Sequence, residues 1–136
     1  MSIRSWFIGV SIVALAGCGA ATSGEQAPDG VGAVPPAAAK TVSFAADVKP
    51  VLDKNCHDCH LGGGKKGGFN MDTRENAMLP GRNGPRIVEG DGESSSLVQR
   101  VAHVPGVKKM PPKGAALSED DVALLRAWID QGAKWE

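Results

Sequence analysis

Apolar side chains recur at helical spacing in three stretches of this chain, and no stretch shows the strict alternation of a strand. In the first, Phe44, Val48, Val51 and Leu52 share one helical face. Pro50 leaves its start open: a helix beginning near Asp47 takes the proline in its first turn, and one beginning at Phe44 is kinked by it. The second is short, from Ser95 to Val101, with Leu97, Val98 and Val101 on one side. The third is the best defined. Ser118 suits an N-cap with Asp121 three residues on, and Glu119 and Asp120 oppose the helix dipole favourably. Val122, Leu125, Trp128 and Ile129 then form a stripe, and Gly132 is a natural stop. No internal repeat is visible. The pattern predicts an all-α domain, helical at both ends and loop-rich between.

Ahead of these elements the chain changes character twice. Residues 1–5 carry one cation, Arg4, and Trp6 to Ala16 are almost wholly apolar. This is the layout of an export signal, and it is too short for a membrane span of about 20 residues. It ends in Leu15-Ala16-Gly17-Cys18, which resembles the lipobox of bacterial lipoproteins and implies cleavage before Cys18 and a lipid on its thiol. The competing reading is ordinary cleavage after a small residue. It leaves an exported thiol with no partner, so lipidation is preferred. From Gly19 to Lys40 the chain is mostly Ala, Gly, Pro and Ser, with no aromatic residue. Such a segment cannot bury enough apolar surface to offset its ordering entropy, so it reads as a flexible tether. The expected organisation is a signal over 1–17, a lipidated Cys and tether over 18–40, and a folded domain over 41–136.

The chemistry-bearing run is Cys56-His57-Asp58-Cys59-His60. Two thiols three positions apart can form thioethers to the vinyl groups on one edge of a haem, and the next residue, His60, then stands under the iron as proximal ligand. A bare Cys-x-x-Cys is also compatible with zinc or a redox dithiol, and the adjoining His tips the choice. With Cys18 assigned to lipid, all 3 cysteines are accounted for, and an odd number cannot pair fully as disulfides. The domain is under about 100 residues, a size at which a core is marginal. The chain has no Tyr and few other aromatics, so a buried porphyrin would supply missing apolar bulk.

A second metal ligand is sought among the methionines and histidines. Met110 stands in Lys108-Lys109-Met110-Pro111-Pro112, shortly before the last helix. A thioether is a soft, neutral donor that favours ferrous iron, and two prolines stiffen the loop that holds it. Any Met taken at random is more often core, which is the reading for Met71 and Met78. His103 is the other axial candidate, ranked below Met110 because a lone loop His is usually exposed or hydrogen-bonded. His57, between the thiols, should face solvent.

Taken together, these features resemble a monohaem class I cytochrome c, and more narrowly the planctomycete-type cytochrome c domain. The likeness is carried by Asp47 to Leu52, Gly67 to Arg74, Gly84 to Asp91, Ser96 to Val101, Met110-Pro111-Pro112 and Leu124 to Ala133. It implies a small fold whose terminal helices pack around one covalent haem c. It also implies thioethers at Cys56 and Cys59, His60 as proximal ligand and Met110 as distal ligand. Such domains often precede large further domains, so any associated activity is expected on another polypeptide or not at all.

Charge and function class complete the expectation. Net charge is zero, and with no basic stripe interleaved with aromatics nothing suggests nucleic-acid binding. Lys54, Lys65, Lys66, Lys108, Lys109 and Lys113 flank the haem motif or the Met110 loop, while Glu119, Asp120, Asp121 and Asp130 lie on the closing helix. In class I cytochromes those loops border the exposed haem edge, so the lysines fit a redox partner with an acidic surface. Ordinary solvated loop lysines explain them equally well. Three classes compete. A single-electron carrier uses six-coordinate iron, and a haem enzyme subunit or gas or redox sensor needs a labile distal position. A dithiol oxidoreductase needs a strand-rich scaffold that the pattern does not predict. The preferred reading is a lipid-anchored electron carrier, not itself an enzyme, on the periplasmic side of the cell envelope.

Overall fold

The computed structural model describes residues 32–136; the export signal, Cys18 and the tether as far as residue 31 lie outside the described residues. Ser43 opens the first helical stretch, its Oγ accepting from the Ala46 amide at 3.3 Å while Asp47 accepts from the Ser43 amide at 3.0 Å. A π-helical turn over Phe44–Val48 runs directly into α1, Lys49–Asn55. The two starts left open by Pro50 are thereby reconciled. Pro50 has no N–H to donate one turn back, and the chain ahead of it is wound more widely, with the Val48 amide reaching Ser43 O and the Lys49 amide reaching Phe44 O.

The remaining helices are short: α2 (His57–His60), α3 (Arg74–Met78) and α4 (Ser96–Val101), with a 3₁₀ turn at Lys66–Gly68. The closing helix α5 spans Glu119–Asp130. Its start is the expected one, with Ser118 Oγ accepting from the Asp121 amide at 3.2 Å. It ends at a reversal in which the Gly132 amide reaches Ile129 O and the Ala133 amide reaches Trp128 O, both at 2.9 Å. The described residues form no strand, only an isolated bridge between Gly81 and Gly84, and no helix among them is long and apolar enough to cross a membrane.

Burial follows the stripes read from sequence. Val48, Val51 and Leu52 meet Val122, Leu125, Trp128 and Ile129 in one core, which Leu97, Val98 and Val101 complete from α4. Fully burying side chains of this size stabilises by about 1.5–3 kcal/mol each. Phe44, Trp128 and Trp135 lock the two ends of the domain together, with ring centroids 4.7–5.7 Å apart. The indole N–H of Trp128 is satisfied by Lys134 O at 2.8 Å.

The domain starts earlier than expected. Residues 34–40 lie against α5, although their composition reads as tether. Val34 packs on the core, Arg126 donates to Pro35 O at 2.8 Å, and the Ala38 amide donates to Ala123 O at 3.1 Å. Gln131 binds the strap twice, accepting from the Val42 amide and donating to Lys40 O, each at 2.9 Å. Lys40 also bonds Asp47 at 2.7 Å, and its ammonium, with the Ser43 amide, holds that carboxyl below the usual range. Backbone hydrogen bonds thus do what apolar side chains could not.

Candidate haem site

The last turn of α1 delivers Cys56, whose amide bonds Leu52 O at 2.8 Å. A single helical turn follows, with the His60 amide on Cys56 O at 2.9 Å. Spacings of three and four residues place Cys56, Cys59 and His60 on one face of that turn. His57 points outward, its side chain 60% exposed, as expected.

These three residues line a cavity of about 340 Å³, and Met110 lines the same cavity. Phe69, Met71, Leu97, Val101 and Leu117 supply its apolar wall. Around them stand Lys66, Arg82, Arg86, Arg100 and Lys108, and no carboxylate among the described residues lines the cavity. Of the six lysines singled out in sequence, two therefore reach the wall, and three arginines that were not singled out join them.

Both thiols are free, not paired as a disulfide. The Cys56 thiol is half-buried and pushed up to about 11, first by burial and then by the neighbouring Cys59. Dithiol redox catalysts need the opposite, a thiol acidified into a nucleophile. No three His, Cys, Asp or Glu side chains converge as a metal cage among the described residues.

His60 is held at one ring nitrogen. Nδ1 lies 2.9 Å from the carbonyl oxygen of Phe69. A carbonyl only accepts, so Nδ1 carries the proton and Nε2 keeps its lone pair free for a metal. The same segment grips the backbone, the Met71 amide bonding His60 O at 2.7 Å. Asp72 then ties both ends of the intervening loop. It accepts from the Gly62 and Gly63 amides at 2.7 and 2.8 Å, and from Asn70 Nδ2 at 2.8 Å. Gly62 and Gly63 have φ of +58° and +84°, a conformation that costs L side chains dearly and here aims two successive amides at one carboxylate. The Asn70 amide first, then the Gly63 and Gly62 amides, hold the Asp72 carboxyl below the usual range. Neither Asn70 nor Asp72 stood out in sequence, where the only signal was their place in the planctomycete-like stretch.

Met110 approaches from a different segment. Its amide bonds Arg100 O and the Leu117 amide bonds Val101 O, both at 3.0 Å, while Arg100 reaches Lys108 O at 3.4 Å. The Met110 loop is thus fastened to the end of α4. His103 is neither exposed nor fully hydrogen-bonded, contrary to the expectation for a loop histidine. It is buried, its φ is +56°, its Nε2 has no partner among the described residues, and it does not line the cavity. Met71 is core, as expected, but it also forms cavity wall. Met78 packs against the core.

The family model described as Planctomycete cytochrome C matches residues 56–114. No curated protein sequence matches the chain. Among solved structures, the chain is similar to Kuenenia stuttgartiensis hydrazine synthase at 24% identity, with a TM-score of 0.46. That alignment covers 71% of this chain and only 16% of the other. Over residues 56–114, from the first thiol through the Met110 loop, this chain is similar to the planctomycete cytochrome c family.

Proposed function

We propose that the domain binds one haem c through Cys56 and Cys59, with His60 and Met110 as axial ligands, and passes single electrons between partner proteins. One observation carries the reading: two thiols, an imidazole with a free nitrogen and a thioether line the same apolar-walled cavity. That donor set fits haem c, and the five cations of the wall suit its two carboxylates. Bound haem supplies an iron that takes up and returns one electron.

The chain's own residues govern the rest. The Phe69 carbonyl fixes the His60 ring and strengthens it as a donor. Met71 is bonded through its amide to the carbonyl of His60, so it belongs to the His60 side of the cavity. Met110, held by α4, is the thioether that comes from elsewhere, and this favours it as the distal ligand. Phe69, Leu97, Val101 and Leu117 keep water from the interior, while exposed Lys65, Lys66, Lys108 and Lys109 face an acidic partner.

Protein matured in an exporting host should titrate reversibly as a one-electron centre, and its electron exchange with an acidic partner should slow as salt rises. Added salt shortens the Debye length to about 8 Å near physiological strength. A centre that does not cycle overturns the carrier reading, and a salt-independent rate overturns the docking surface. We also propose that Cys18 is lipidated and holds the domain at the cell envelope, because Leu15-Ala16-Gly17-Cys18 has the lipobox pattern. Wild type should sediment with membranes, since two or more acyl chains bind firmly. Cys18→Ala should be released or left unprocessed, and equal partitioning of both forms would rule lipidation out.

A further inference from the structure

We infer that Arg86 is a positioning residue for the His60 side of the cavity and that its charge raises the reduction potential of the centre held there. The inference rests on the haem reading above and goes beyond it.

Arg86 Nη2 donates to Gly67 O at 3.0 Å and Nη1 donates to Leu79 O at 3.2 Å, so one guanidinium joins two loops of the cavity wall. Its Cζ lies 5.0 Å from the centroid of the Phe69 ring. The carbonyl of that same Phe69 holds His60 Nδ1 at 2.9 Å. Arg86 therefore braces the residue that orients the proximal imidazole. Gly81 makes room for it, because a Cβ there would stand 2.8 Å from Cζ.

The charge matters as much as the brace. Arg86 makes no ion pair among the described residues and lines a wall without a carboxylate. It is partly buried and tethered at two nitrogens, whereas Lys66 and Arg82 are exposed and screened by water. Ferric iron carries one more positive charge than ferrous iron. A fixed cation nearby disfavours the ferric state, so reduction becomes easier and the midpoint potential rises.

The test compares wild type, Arg86→Lys and Arg86→Gln for covalent haem, melting temperature and midpoint potential at low ionic strength. Neither Lys nor Gln can reproduce the two-loop brace, so both variants should melt below wild type by similar amounts. Only Arg86→Gln, which removes the charge, should show a clearly lower potential, with Arg86→Lys near wild type. Gly81→Ala keeps the charge but drives a methyl into Cζ, and it should lower the potential part of the way. Equal potential shifts in Arg86→Lys and Arg86→Gln would reduce Arg86 to a structural brace. An unchanged potential in Arg86→Gln would mean that its charge is neutralised when haem is bound, and it too overturns the inference. Wild type without covalent haem is a different result, because it overturns the functional reading and this inference with it.

Discussion

Serine at both Cys56 and Cys59 should give a protein whose haem washes out in acidified organic solvent, whereas wild type keeps its haem through the same extraction. The argument is chemical and energetic together. A hydroxyl cannot form the thioether, so the group would be held only by the proposed ligands His60 and Met110 and by the cavity wall. The domain is then prone to open a cavity of about 340 Å³ between its helices. At ~24 cal/mol per Å³ of unfilled cavity this sets an upper bound of about 8 kcal/mol, reduced in practice because the mouth admits water. Domains of this size have only about 5–15 kcal/mol of stability. The double variant should therefore melt far below wild type or fail to accumulate, and its melting temperature should rise as free haem is added. Equal retention of haem by both proteins would remove the covalent assignment.

The second large effect is expected at Met110. Met110→Ala should lose the charge-transfer band of thioether bound to ferric iron, lower the midpoint potential and take up carbon monoxide stoichiometrically when reduced. Wild type should bind the gas slowly or not at all. The sulfur is the soft, neutral donor that favours ferrous iron, so its loss relatively stabilises the ferric state. Met71→Leu and His103→Ala are the controls. Met71 hangs from the carbonyl of His60, and His103 lies away from the cavity wall, so both should keep the band. Loss of the band in Met71→Leu would transfer the ligand role to Met71. Opening of the iron in His103→Ala would replace His/Met with bis-His ligation. Ready carbon monoxide binding by wild type would favour an enzyme or sensor with a labile distal position.

What could be read from sequence was local. Ser118, the stripe from Val122 to Ile129 and the turn at Gly132 act within a few residues of one another, so their pattern survives in the linear chain. The spacing of Cys56, Cys59 and His60 is likewise a property of a single helical turn. Contacts between distant residues left no such trace. Arg126 meets Pro35 and Gln131 meets Lys40, each across 91 positions, and their partners are backbone carbonyls, which every residue possesses. Composition alone therefore assigned residues 34–40 to a tether. Arg86 was hidden for the same reason, since its acceptors are the carbonyls of Gly67 and Leu79. Pro50 left two starts open, a helix from near Asp47 with the proline in its first turn or one from Phe44 kinked by it, and a wider turn ahead of it accommodates the missing N–H.

The docked strap shortens the leash. With a lipid on Cys18, as proposed, 16 positions separate the anchor from the docked Val34, instead of 22 to Lys40. Even at full extension, at ~3.6 Å per residue, that is about 58 Å rather than about 79 Å. The strap joins the domain on α5, and the cavity is walled by the end of α1, α2, α4 and the loops that precede and follow α4, with no residue of α5 in its lining. A membrane would pull on one set of elements while the cavity is lined by another. Were Cys18 lipidated as proposed, partners would have to meet this centre within that distance of the bilayer.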